Sequence, residues 1–546
     1  MPGGLLNLTS GGSQNAIMYG NPQKTYWTST YKQITNFGLQ NFALNYEGLR
    51  HLQLTTDTTY TFKVKRYADL LMNTHLVINI PDIYSPILTD FQTGGNGNQP
   101  YEFKWIKNLG AMMIRSIKFT IGGSLIQYMT GHDIIAMANR DLSGPTKDKW
   151  NDMVGNIPDM YDPASVHGLF YPNAQYIDPP NLPPYPPGSE PSIRGRQLRI
   201  PIPIWWGLTS QQAFPLVSLQ YNELQIEIIL RPICELFQIR NVTNENISDV
   251  TNSNVYNYDY VIAPNMTIPE HQFYHFLYSP PEDPSTISNV NTWNENVHLS
   301  CTYCFLSEDE SRVFAMQQQS YLIRELHDTW FYNVSINDKI WLQNSTGLVL
   351  NWMFLFQRSD VNVRNEWSNF TNWPYDYLPV DITSSDLTGP GTSSNILYVT
   401  GNYHPENQKD ILLQLGITLD GTMREEIRPA SVYKYEQQYL SSRGGGFISL
   451  PGMYCYNFCL STDPFNLQPS GAMNLSKYSK IEVEFITTTP LLNPLADYKV
   501  ICDPFNGPIG ISKGNMYVYA FDLVVIEERY NVVKFMGGNA GLMNAR

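Results

Sequence analysis

Leu224-Gln225-Ile226-Glu227-Ile228 and Ile481-Glu482-Val483-Glu484-Phe485 both alternate apolar and polar residues with a period of two. A strand sends successive side chains to opposite faces, so each reads as a strand with one buried face. The approach to each is also alike. A strand signal from Ile202 passes through a Pro-marked excursion before reaching Ile228, and the same order of features runs from Tyr454 to Phe485. A second echo joins Ile117–Gln127 (IKFTIGGSLIQ) to Leu413–Arg424 (LQLGITLDGTMR), a strand with a Gly turn in each. A third joins Tyr303–Phe314 to Tyr519–Tyr530, an aromatic strand followed by an acidic turn and Arg. Together they predict two similar β-sandwich units in tandem, with a boundary near residues 307–325.

Strand signals continue outward from these echoes. Thr58–Lys65 alternates, and Leu76–Ile80, Leu299–Leu306, Leu348–Phe356, Met453–Leu460 and Tyr517–Ile526 are rich in β-branched and aromatic residues. Helical signals are few: His132–Arg140, and part of Arg424–Tyr439, where Pro429 interrupts. The reading is an all-β chain of sandwiches. Long polar or Pro-rich stretches lie between strands, near 141–196, 231–296 and 357–407, and read as surface excursions.

Composition narrows the function. The chain has 546 residues, 42% apolar and 13% aromatic, enough to bury a large core and to exclude disorder as its main state. Only 15% of residues are charged and the net charge is −14, which disfavours coating nucleic acid. No run approaches the ~18 apolar residues of a membrane helix. The opening Met1-Pro2-Gly3-Gly4-Leu5-Leu6 lacks the basic and apolar regions of a secretory signal, so folding in a cytosol is expected.

The chemical motifs favour plain readings. Cys301 and Cys304 form a CxxC, but Cys455 and Cys459 lie far away at another spacing, and buried reduced thiols are expected rather than zinc. His271 and His275 lack the helix and Glu of a metalloprotease site and read as surface residues. The acidic pairs at Glu308–Glu310, Glu425-Glu426 and Glu527-Glu528 read as solvated charge at turns and strand ends. Gly444-Gly445-Gly446 lacks a following Lys-Ser/Thr and reads as a flexible loop. Eight N-x-[ST] sequons, from Asn7 to Asn474, are what an Asn-rich chain produces by chance. No catalytic, cofactor-binding or metal residue is assigned. The ends, 1–24 and 536–546, are rich in Gly and Asn and read either as floppy ends or as arms that order against a neighbouring subunit, the second reading fitting a protein that assembles.

Several stretches carry a specific resemblance. Gly3-Gly4-Leu5-Leu6 followed by Gly20-Asn21-Pro22-Gln23-Lys24-Thr25-Tyr26-Trp27, then Tyr31 and Thr35-Asn36-Phe37, resembles the amino terminus of major capsid proteins of nucleocytoplasmic large DNA viruses. Ile121-Gly122-Gly123, Pro215–Glu223 (PLVSLQYNE), Gln468–Ser476 (QPSGAMNLS) and Tyr530–Leu542 are similar to further motifs of that family, in the same order along the chain. Lys534 and Phe535 stand where the family usually has Arg and Ile.

The resemblance implies two tandem eight-stranded jelly-roll β-sandwiches with long inserted loops. It divides the chain into an N-terminal arm (1–24), a first jelly roll (25–310, insertions near 141–196 and 231–296), a second (311–535, insertion near 357–407) and a tail (536–546). It implies a structural protein rather than an enzyme, without cofactors. A homotrimer would form a pseudo-hexameric capsomer of an icosahedral double-stranded DNA virus shell. Partners would be neighbouring capsomers, minor capsid and penton proteins and an internal viral membrane, with no direct nucleic-acid contact. The protein would reside in the virion after assembly in the host cytoplasm. The alternative is a carbohydrate-binding or carbohydrate-active β-sandwich protein, which expects a secretion signal and a cleft with carboxylates ~5–9.5 Å apart.

Overall fold

The computed structural model describes residues 12–13, 16–85, 101–163, 191–241, 261–277, 290–373, 375, 409–490, 499–503, 507–510 and 519–544. Much of the expected excursions lies outside these residues, as do most of 1–24 and the sequons at Asn7 and Asn246. The first half contains β1 (Phe37–Asn45), β2 (Thr58–Lys63), β3 (Leu70–Ile80), β4 (Tyr101–Trp105), β5 (Ile114–Ile121), β6 (Ser124–Met129), β7 (Arg196–Pro201), β8 (Phe214–Pro215), β9 (Leu224–Leu230), β10 (Phe237–Asn241) and β11 (His298–Leu306). The second contains β12 (Gln319–Val334), β13 (Asn337–Trp341), β14 (Leu348–Arg358), β15 (Leu412–Leu419), β16 (Thr422–Pro429), β17 (Met453–Asn457), β18 (Met473–Asn474), β19 (Ile481–Thr487), β20 (Lys499–Asp503), β21 (Gly507–Gly510), β22 (Phe521–Met536) and β23 (Asn539–Leu542).

The two halves pair their strands in the same order. One sheet of the first runs β1-β11-β3-β7 with β8 on β3, and its counterpart runs β12-β22-β14-β17 with β18 on β14. The facing sheets run β2-β9-β5-β6 and β13-β19-β15-β16. Even the irregularities repeat. The β3–β11 ladder slips between Cys301 and Tyr303, and the β14–β22 ladder slips at the equivalent place, between Val349 and Asn351. The β5–β6 and β15–β16 hairpins turn on Gly122-Gly123 and Asp420-Gly421, all four with positive φ. That is the left-handed pair of a type I′ turn.

The first opening stretch behaves as its alternation requires, whereas in the second Glu482 is buried together with Ile481 and Val483. Along β9 every second residue from Leu224 to Leu230 is buried. β14 differs: ten of its eleven residues are buried, so no alternation is visible. Its sheet is covered on both faces. Val349, Phe354 and Phe356 pack into the second sandwich's own core, whereas Met353 and Leu355 join the core of the first.

Several local expectations change. The strand expected over Tyr517–Ile526 runs over Phe521–Met536. Register also corrects the third echo: Leu70 pairs with Cys304 and Leu348 with Tyr530, so Cys304 corresponds to Tyr530. Helix α1 (Gly131–Asp141) forms as expected, opened by a reciprocal capping box between Thr130 and Asp133. The 141–196 stretch holds a second helix, α2 (Gly144–Val154), with Pro145 in its first turn. The acidic turn after β11 is instead α3 (Glu308–Met316), where three carboxylates favour the helix N-terminus. Arg424–Tyr439 splits at Pro429: β16 ends there, and helix resumes as a π-turn (Val432–Glu436) running into α4 (Gln437–Ser441).

Candidate functional site: the joint between the sandwiches

The densest polar chemistry lies where the two sandwiches meet. Helix α1 follows β6 and is wedged between them, with all eleven of its residues buried. At its C-terminal end, Arg140 donates from Nη1 to Glu528 Oε2 on β22 at 2.8 Å and from Nη2 to Asp141 Oδ2 at 2.6 Å. Asn351 Nδ2 also donates to Glu528 Oε2, at 2.8 Å, and Arg324 lies 3.4 Å from Oε1. Burial pushes the Glu528 carboxyl up, but the Arg140 and Arg324 guanidiniums outweigh it and hold the value below the usual range. The group is therefore a carboxylate, fully enclosed and fully paired.

At the other end of α1, Thr130 Oγ1 lies 3.1 Å from Asp133 Oδ2 and 3.0 Å from Asp328 Oδ2 on β12. One hydroxyl proton cannot serve two carboxylates. Burial raises both carboxyls above their ordinary value, and the neighbouring Asp328 raises Asp133 further, which favours one proton shared by the pair. Beside them the His132 ring meets Trp330 edge-on at 5.3 Å. Burial, aided by Arg231, lowers His132 to about 3, so it is neutral.

Apolar contacts extend the joint. Trp205 packs on Tyr321 at 5.4 Å between ring centres, and Phe214 meets Phe535 edge-on at 5.2 Å. Backbone contacts close it: Gly444 N–H donates to the Arg140 carbonyl at 2.8 Å, and Gln220 N–H to the Gly538 carbonyl at 3.0 Å. On the side of the β4–β10 ribbon, Asn365 Nδ2 donates to the Phe237 carbonyl at 2.9 Å, and Trp367 Nε1 to that of Glu235 at 2.9 Å.

The residues singled out by sequence fall in two groups. Cys301 and Cys304 are buried on opposite faces of β11, in different apolar clusters. Burial pushes the Cys301 and Cys455 thiols up to about 12. Among the described residues no three His, Cys, Asp or Glu side chains are grouped to hold a metal. Glu308 pairs with Arg312 at the surface, as solvated charge should. Three readings are corrected. Glu527-Glu528 lies within β22 and is buried, not solvated: Glu527 accepts from Trp352 Nε1 at 2.7 Å. His271 is buried, accepting the Asn265 N–H at 3.0 Å and touching Tyr101 edge-on. Gly444 is a docking point rather than part of a free loop, because a Cβ there would come within 2.4 Å of the Asn139 carbonyl oxygen.

Two sandwiches with one strand order, fused through a buried joint, define a double jelly-roll protein. Comparison with known proteins agrees and names the family: the chain belongs to the major capsid protein family, whose N-terminal domain model, "Major capsid protein N-terminus", matches residues 25–300. It is 26% identical to the major capsid protein of Chrysochromulina ericina virus over 60% of this chain, which spans 53% of that relative. It is 23% identical to the major capsid protein of Paramecium bursaria Chlorella virus 1 over 100% of both chains. A quasi-atomic structure of the PBCV-1 virus capsid superimposes with a TM-score of 0.59 at 17% identity, covering 96% of this chain and 100% of that one.

Proposed function

We propose that this chain is a shell subunit of a large icosahedral DNA virus and works by assembly rather than catalysis. The observation that carries the reading is the strand-for-strand repeat of the jelly roll across one buried joint. A wedge repeated twice in a chain gives a three-fold oligomer six similar wedges, and so a near-hexagonal tile. The reading keeps the division into an arm (1–24), a first jelly roll (25–310), a second (311–535) and a tail (536–546). Neighbouring capsomers, minor capsid and penton proteins and an internal viral membrane are its partners. It resides in the virion and assembles in the host cytoplasm. The net charge of −14 suits a shell that leaves the genome to others.

The carbohydrate reading is not favoured. It needs two carboxylates facing an open cleft, whereas Glu527 and Glu528 are enclosed and tied to Arg529 and Arg140. The test is mass in solution by sedimentation. A species of three times the 62.4 kDa chain mass is expected. A chain that stays monomeric at high concentration overturns the proposal.

A further inference from the structure

We infer that the cleft lined by Gln127, Trp205 and Tyr530 binds a small neutral molecule that carries a hydroxyl group on a short aliphatic body. The inference goes beyond the assembly reading and does not depend on it.

The cleft belongs to the joint. Gln127 comes from β6 and Trp205 from the short helix Trp205–Leu208, both in the first sandwich, whereas Tyr530 comes from β22 of the second. Its cavity volume is about 20 Å³, within a wider opening of about 480 Å³ that includes solvent-open space. The cavity is room for one water-sized group. A larger molecule must therefore put one small polar group inside and keep its remainder in the opening. Much of the wall is apolar, with Met137, Leu208, Leu322, Leu326 and Leu467 among its residues, and suits a short hydrocarbon chain.

Three polar groups of this wall lack a complement among the described residues. Gln127 is 4% exposed, and its Oε1 accepts no hydrogen bond. Its Nε2 donates to the Arg324 carbonyl at 3.5 Å, which fixes the end of the amide that carries the oxygen. Trp205 is 2% exposed, and its Nε1–H has no acceptor. Tyr530 is 8% exposed, and its hydroxyl proton also has no acceptor. The nearby Ser470 N–H can only donate to that oxygen. Burying one such group unmatched is costly, and here three line a single cavity.

The set is two donors and one acceptor. A hydroxyl oxygen accepts two hydrogen bonds and donates one. An alcohol therefore matches it, accepting from Trp205 and Tyr530 and donating to Gln127 Oε1. A charged ligand does not. Arg324 and Glu528 also line the cleft, and they lie 3.4 Å from each other. Arg324 further donates to the Thr462 carbonyl at 2.9 Å and the Asp463 carbonyl at 3.0 Å. An ammonium would face Arg324 and a carboxylate would face Glu528, with both countercharges already engaged. A molecule held by residues of both sandwiches binds the folded joint and not the unfolded chain, so it stabilises the fold.

The experiment uses the full chain with 1-butanol as the probe, read by saturation-transfer NMR of the alcohol. A signal that saturates with concentration is expected, with a rise in melting temperature that saturates alongside it. Diethyl ether has the same formula without the hydroxyl proton, and is expected to bind about tenfold more weakly because Gln127 Oε1 stays unmatched. Tyr530→Phe removes one donor and Gln127→Leu removes the acceptor. Each variant, once far-UV circular dichroism shows it folded, is expected to weaken 1-butanol binding by about tenfold. Equal binding of ether and alcohol overturns the inference, as does a folded variant that binds 1-butanol like the wild type. A signal that never saturates also overturns it, and leaves water as the only occupant of the cleft. The alcohol–ether comparison needs only the wild-type chain, so it decides the matter even when a variant fails to fold. None of these readouts measures chain association, so failure here leaves the assembly reading standing.

Discussion

Arg140 Nη1 lies 2.8 Å from Glu528 Oε2, and both side chains are fully buried although they come from different sandwiches. Coulomb attraction across an enclosed joint is strong, but desolvating both ions costs much of it. What the arrangement does impose is a penalty for removing one partner. Arg140→Ala leaves Glu528 and Asp141 facing each other without their shared guanidinium, and is expected to cost about 3–5 kcal/mol. Glu528→Gln leaves Arg140 paired with Asp141 and is expected to cost less, about 1–3 kcal/mol. Urea unfolding measures both. Equal costs, or an Arg140→Ala loss below ~1 kcal/mol, would show that the ion pair does not hold the joint.

The Asp133–Asp328 pair predicts a pH dependence of the opposite kind to an ordinary ion pair. Burial raises both carboxyls in the folded chain. Above the ordinary carboxyl value the folded state then holds more protons than the unfolded state, so this pair's contribution falls as pH rises. The loss runs from about pH 4 up to the raised value, and each tenfold gain in proton affinity on folding corresponds to about 1.4 kcal/mol. Asp328→Asn replaces the shared proton by a fixed amide, and the slope should flatten. Comparing melting temperatures of wild type and variant from pH 4 to 8 tests this; parallel curves would sink it.

The sandwiches are legible in the sequence because β2 and β9 each have one buried face, and that alternation is written locally. The joint is not. Arg140 and Glu528 lie 388 positions apart, and the Glu527-Glu528 dipeptide by itself does not distinguish a buried acidic pair from a solvated one. The signal that could reveal it is their setting, between Val524-Val525-Ile526 and Tyr530 in a run of strand-forming residues. His271 escapes a local reading for the same reason, since Asn265 and Tyr101 reach it by tertiary packing. The third echo misleads on register because its shared acidic segment is conspicuous in sequence, whereas the hydrogen-bond ladder that fixes the true equivalence joins strands far apart along the chain.

Gly444 should tolerate no side chain. Its N–H donates to the Arg140 carbonyl, and a Cβ would lie 2.4 Å and 2.5 Å from the Asn139 and Arg140 carbonyl oxygens. Gly444→Ala must push the loop off α1, at about 1–3 kcal/mol by analogy with overpacked cores. Gly123→Ala meets no atom within 4 Å and bears only the strain of its positive φ, about 1 kcal/mol. Thermal melts of the two variants rank them; a Gly123→Ala loss larger than that of Gly444→Ala would contradict the close contact.

The thiols give a test of rigidity. Cys301 and Cys455 have no solvent exposure, and burial raises both to about 12, so almost no thiolate exists near neutral pH. Thiolate is the form that reacts with disulfide reagents. In the native protein at pH 8 both residues should resist labelling by an aromatic disulfide, and become reactive only when urea exposes them. Mass spectrometry of the labelled peptides assigns each site. Because Cys301 sits at the bulge of the β3–β11 ladder, fast native labelling there, with Cys455 still protected, would mean that this ladder opens locally without unfolding the second sandwich.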